Sequence, residues 1–151
     1  MATTNYVNTF ITVAEDCRSE VGTVPPAGER PTLARLMWEL LTAVPPYSLT
    51  SDDLLFAVHV ARTGVGQDDR VAAKKAFLAQ PVPCLRSSPL PRTYGWGIHF
   101  DATGRVALYG RETEEYRRFS APGATTSDGQ PIVQERALRA DHDEGRQRAG
   151  A

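Results

Sequence analysis

The stretch from Tyr94 to Tyr109 has the periodicity of a β-hairpin. Tyr94, Trp96, Ile98 and Phe100 alternate with Gly95, Gly97 and His99, and the alternation resumes from Arg105 to Tyr109 after a short polar break. A period of two belongs to a half-buried strand, so two strands joined by a tight turn are implied. If Ala102-Thr103-Gly104 is a three-residue loop with Gly104 in the left-handed region, Asp101 pairs with Arg105. That register sets Phe100 opposite Val106 and Ile98 opposite Leu108, with Trp96 on the same apolar face. A slip by one residue would split the apolar set over two faces. The other face then carries only Gly95, Gly97, His99, Ala107 and Tyr109 and is unusually bare.

A sheet needs further strands and a cover. Asn8 to Ala14 (NTFITVA) is rich in β-branched and aromatic residues and predicts a buried strand, with Phe10, Thr12 and Ala14 opposite to Ile11 and Val13. Glu15 to Arg30 holds Gly22, Pro25, Pro26 and Gly28 and predicts a loop. Leu33, Leu36, Met37, Leu40, Leu41 and Val44 form one helical stripe, with Pro31 in its first turn and Pro45-Pro46 ending it. Thr50-Ser51-Asp52-Asp53 predicts a helix start, a hydroxyl cap followed by two carboxylates at the positive dipole end. Leu54 to Ala61 also fits a buried strand, because Phe56, Val58 and Val60 alternate; the cap decides for helix. Asp68 to Gln80 predicts a third helix, Pro81 to Pro91 a stiff loop, and Thr113-Glu114-Glu115 the cap of a short helix bearing Tyr116 and Phe119.

These elements predict an α+β fold: a small antiparallel sheet, made of the N-terminal strand and the C-terminal hairpin, packed with three to four helices. At 151 residues one core is expected. We place a single domain over 1–120, then a linker from Ala121, a weak helix over Ile132 to Ala140 and a disordered tail to Ala151. With 41% hydrophobic and 23% charged residues the chain reads as globular. A net charge of -1 argues against nucleic acid as the main partner, although arginine far outnumbers Lys74 and Lys75. The start, Met1 to Asn8, reads as no secretory signal, and Leu54 to Ala61 is shorter than the roughly 20 residues a spanning helix needs. A cytoplasmic protein with no membrane partner and two reduced cysteines, Cys17 and Cys84, is the expectation.

Pro83 to Gly110 (PCLRSSPLPRTYGWGIHFDATGRVALYG), NTFITVAEDC near the start and TSDDLLFAVH at Thr50 together resemble DUF6157, a bacterial family described only as a domain of unknown function. The resemblance runs from Tyr6 to about Phe119. It implies no activity and no site residues.

Chemistry must therefore come from the residues themselves. Cys84-Leu85-Arg86-Ser87-Ser88, held between prolines, offers a thiol, a guanidinium and two hydroxyls beside the sheet. A pre-ordered loop loses little entropy on binding, and the arginine fork suits carboxylate or phosphate. Arg86, Ser87, His99 and Tyr109 are thus the candidate ligand-binding residues for a carboxylate or phosphate metabolite. The plainer reading is that Arg86 pairs with a carboxylate of the fold and the serines satisfy a turn. Cys84 is a candidate nucleophile with His99 or His59 as base, a thiol-dependent enzyme, unless it is simply buried packing. Gly95 and Gly97 admit either a ligand or a helix beside His99; in the second case Tyr109 covers Gly97 across the strands. Asp52 and Asp53 are explained by the helix start. The scattered His59, His99 and His142 make no metal pattern, so no metal or cofactor is expected. A third possibility is an interaction module or homodimer that buries Trp96 or Tyr94.

Overall fold

A computed structural model describes residues 3–64 and 66–140. Four strands, β1 (Thr9–Thr12), β2 (Trp96–Phe100), β3 (Val106–Gly110) and β4 (Val133–Arg136), form one sheet in the order β3-β2-β1-β4. Among the described residues the helices are α1 (Leu33–Thr42), α2 (Ser51–Thr63), α3 (Arg70–Ala79), α4 (Pro89–Thr93) and α5 (Glu114–Ser120). The fold is α+β, but two features of the expected plan are corrected. The sheet is mixed, since β4 runs parallel to β1 while β1–β2 and β2–β3 are antiparallel. Among the described residues there are five helices rather than three to four.

The hairpin has the register its turn predicts. Phe100 faces Val106, Ile98 faces Leu108, and Asp101 N–H donates to Arg105 C=O at 2.9 Å. Gly104 has φ +80°, the left-handed geometry that a three-residue loop demands. The Asp101 carboxylate finishes the turn by accepting from the N–H groups of Thr103 and Arg105.

In α2, the Thr50 hydroxyl accepts from Asp53 N–H while the Asp53 carboxylate accepts from Thr50 N–H, a reciprocal capping box. That local chemistry makes 51–63 a helix although Phe56, Val58 and Val60 alternate. Asp52 accepts from Thr3 and Thr4 and so ties the start of the chain to the same helix end. In α1 the cap is Thr32, which leaves Pro31 one residue outside the helix rather than in its first turn. The predicted third helix opens as a 3-10 turn, Gln67–Asp69, before α3.

Three segments differ from expectation for identifiable reasons. The chain at 132–140, expected as a weak helix, supplies β4; its residues Val133, Gln134 and Arg136 are exposed, as befits a charged edge strand with little apolar signal. The predicted tail, 141–151, lies outside the described residues. The Pro81 to Pro91 loop contains a 3-10 turn, Leu85–Ser87, and α4, which begins at Pro89, where a proline costs no helical bond. The predicted alternation along β1 stops at Thr12. Val13 N–H leaves the ladder to donate to the Tyr116 hydroxyl at 2.9 Å, and Val13 joins Phe10 rather than Ile11.

The sheet divides the interior. On one side Ile11, Ile98, Phe100 and Val106 pack against Met37, Leu41, Leu54, Leu55 and Val58 from α1 and α2, and against Leu85 and Leu90. On the other, Phe10 and Val13 pack against Tyr116 and Phe119 of α5 and Ile132.

Candidate functional site

Along α2, Leu55, Val58, His59 and Arg62 follow one another at helical spacing, and a stripe of that spacing shares one face. All four line a cavity of about 610 Å3 between α1, α2, α3 and the Pro83 loop. Leu33, Met37, Phe77, Val82 and Pro83 complete an apolar wall, and Cys84, Ser87, Ser88 and Thr63 add polar groups. Among the described residues no aspartate or glutamate lines it. The Arg62 side chain, exposed in the last turn of α2, makes no hydrogen bond or ion pair among the described residues. The His59 ring lies 4.7 Å from that of Phe77. The volume lies within the range of small-molecule sites, and an apolar wall with a few convergent polar groups is their usual make-up.

The loop residues divide between this cavity and the fold itself. The Ser87 hydroxyl donates to Cys84 C=O at 2.8 Å and the Ser88 hydroxyl to Leu85 C=O at 2.7 Å, so both serve the 3-10 turn. Arg86 turns to β4: its Nε donates to Arg136 C=O at 2.9 Å, and its guanidinium stands 3.8 Å from Glu135. Cys84 Sγ accepts from the Tyr6 hydroxyl at 3.4 Å. Burial, reinforced by that hydrogen bond, pushes the Tyr6 phenol up to about 12.

His99 and Tyr109 occupy the other side of the sheet, so the four expected ligand residues are not brought together. The His99 ring stacks on Phe119 at 4.1 Å and 8°. Its Nδ1 shares a 2.8 Å hydrogen bond with the Tyr47 hydroxyl, which is in turn 2.9 Å from the Tyr109 hydroxyl. Burial lowers the His99 pKa to about 4 and raises that of Tyr47, so the His99 ring and the Tyr47 hydroxyl are neutral near pH 7. Cys84 and His99 therefore do not meet. His59 shares the cavity with Cys84, with no hydrogen bond between them.

The bare strand face is filled by aromatic rings. A Cβ on Gly97 would come within 2.4 Å of Phe10 Cζ and 2.7 Å of Tyr116 Cε2. Phe10 and the Tyr116 ring of α5 thus occupy the space over Gly97. Trp96, half-buried, donates its indole N–H to Thr23 C=O at 2.8 Å, and Tyr94 packs on the aliphatic core.

Tyr47 was not singled out by the sequence. It follows Pro45-Pro46 and has φ +64°, a conformation that non-glycine residues rarely hold. Its N–H donates to Val106 C=O at 3.0 Å, which fixes it beside β3. Arg62 was missed as well, although the stripe from Leu55 to Arg62 was available as a signal. Among the described residues no group of three or more His, Cys, Asp or Glu is placed to hold a metal ion, and no helix is long and apolar enough to cross a membrane.

Comparison with known proteins gives no activity to transfer. No curated protein and no solved structure matches the chain. A model of a family of unknown function, DUF6157, matches residues 1–142, and the chain belongs to that family.

Proposed function

We propose that this chain is a small-molecule-binding domain whose ligand is an amphipathic carboxylate, with an alkyl or aryl body in the α1–α2–α3 cavity and its carboxylate at Arg62. The observation that carries the reading is the pairing, among the described residues, of an apolar, acid-free cavity of about 610 Å3 with an uncommitted guanidinium in its lining. An apolar body gains by leaving water, and a carboxylate near Arg62 meets a positive charge with no competing acid in the lining. Ser87 and Thr63 add hydroxyls to the same lining. Of the expected ligand residues Ser87 remains in this proposal, while Arg86 is committed to β4 and His99 and Tyr109 lie across the sheet.

Calorimetry with straight-chain carboxylates from butanoate to decanoate tests it. Each added methylene should tighten binding about fourfold until the cavity is full, from about 0.8 kcal/mol per buried CH2. The matching alcohols should bind more weakly, and Arg62→Gln should erase the difference between acid and alcohol. Affinity independent of chain length would refute the reading.

A thiol-dependent reading has one observation in its favour, that Cys84 and His59 line the same cavity. Alkylation of Cys84 followed against pH decides it: a rate that tracks an ordinary thiol, unchanged in His59→Gln, removes that reading.

A further inference from the structure

The aromatic side of the sheet borders a second cavity, of about 680 Å3, lined among others by Asn8, His99, Asp101, Arg118, Thr126 and Asp128. His99 is only 7% exposed, yet its Nε2 has no hydrogen-bond partner among the described residues. The Tyr47 hydroxyl fixes what that nitrogen needs. If Tyr47 donates to Nδ1, then Nε2 carries the proton and is a buried donor without an acceptor; if Nδ1–H donates to Tyr47, then Nε2 is a buried acceptor without a donor. In both tautomers one buried polar atom awaits a partner, an exception that a native fold must account for. Two residues next to this centre also hold left-handed backbone conformations unusual for non-glycine residues, Tyr47 at φ +64° and Asn8 at φ +46°. Backbone strain of this kind gathers at functional sites.

The charges in the lining narrow the ligand. The Arg118 guanidinium lies 5.0 Å over the Phe119 ring, and it makes no hydrogen bond or ion pair among the described residues. Asp101 uses Oδ1 for the hairpin turn, and its Oδ2 accepts nothing among those residues. Asp128 is bonded to the Thr126 hydroxyl. One cation and two carboxylates, with a neutral imidazole, disfavour a simple anion and leave Arg118 unanswered by a simple cation.

We propose that this second cavity binds a free α-amino acid with a polar side chain: carboxylate at Arg118, ammonium at Asp101 and Asp128, side-chain polar group at His99 Nε2. The site is on the opposite face of the sheet from the carboxylate cavity and does not depend on it.

Calorimetry on the full chain with the proteinogenic amino acids at up to about 10 mM tests this, followed by the N-acetyl and amide derivatives of the best binder. Arg118 and Asp128 are exposed, so Arg118→Gln and Asp128→Asn should fold, which circular dichroism checks. The proposal predicts binding of a polar amino acid, weakened about tenfold or more by either blocking group and by Arg118→Gln. It also predicts a smaller loss in Asp128→Asn and no change in Arg62→Gln. Absence of binding by every amino acid overturns it. So does an N-acetyl or amide derivative that binds as well as the parent, because one charge alone would then suffice.

Discussion

The two faces of one sheet are buried by different means. Toward α1 and α2 the contact is mainly hydrocarbon, with Ile98, Phe100 and Val106 against Met37, Leu54 and Leu55. Toward α5, a seven-residue helix, the contact is aromatic and its polar tips are tied together, with His99 to Tyr47, Tyr47 to Tyr109 and Tyr116 to Val13 N–H. The first face is fixed by volume and will accept other apolar shapes of similar size. The second is fixed by position, because the Tyr47, Tyr109 and Tyr116 hydroxyls and His99 Nδ1 each have a place that a neighbour specifies.

The largest expected effect is on the hydrocarbon face. Phe100 is fully buried, and Phe100→Ala should cost about 3–5 kcal/mol in denaturant unfolding. Phe100→Leu, which keeps most of the volume, should cost much less, and equal losses would break the volume argument. On the aromatic face even one methyl is too many: Gly97→Ala drives a Cβ into Phe10 and Tyr116 and should cost about 1–3 kcal/mol. Gly28→Ala, with nothing within 4 Å, is the control and should change little.

The faces also separate by pH. His99 has a folded pKa of about 4 against 6.5 when free, so below neutrality the unfolded chain takes up a proton that the folded chain refuses. Stability contributed by this group is complete above the free value and falls as pH drops toward the folded one. Up to about 2 kcal/mol should disappear between about pH 7 and pH 5. Asp52, Asp53 and Asp101 have lowered pKa values, so their contributions persist through that window and are lost only in more acidic solution. Subtracting the unfolding profile of His99→Phe isolates the effect; identical profiles would show that the imidazole is not held neutral by the fold. The smallest of the destabilising effects is that of Tyr47→Phe. It leaves His99 Nδ1 without its partner and should cost about 1–2 kcal/mol.

The sequence was most legible where structure is local. The hairpin register followed from one glycine and an alternation, and α2 from a four-residue cap. β4 was hidden because its pairing partner is more than a hundred residues away and its own residues are mostly polar, so nothing in VQER marks an edge strand. α4 was hidden because its prolines looked like loop punctuation, whereas Ser88-Pro89 is also a helix start. For the candidate site, chemistry was easier to read than placement. The loop at Cys84 does border a cavity, but Arg86 is committed to β4, and the guanidiniums that line the two proposed sites without a partner among the described residues, Arg62 and Arg118, belong to α2 and α5. Which arginine is committed depends on a strand that the sequence did not reveal.

Methyl NMR of the chain titrated with octanoate tests the central claim most directly. The account predicts saturable shifts at the methyls of Leu33, Leu55, Val58 and Val82, and none at Ile132 on the aromatic side. Shifts confined to the aromatic side, or no saturable shift on either, would contradict it.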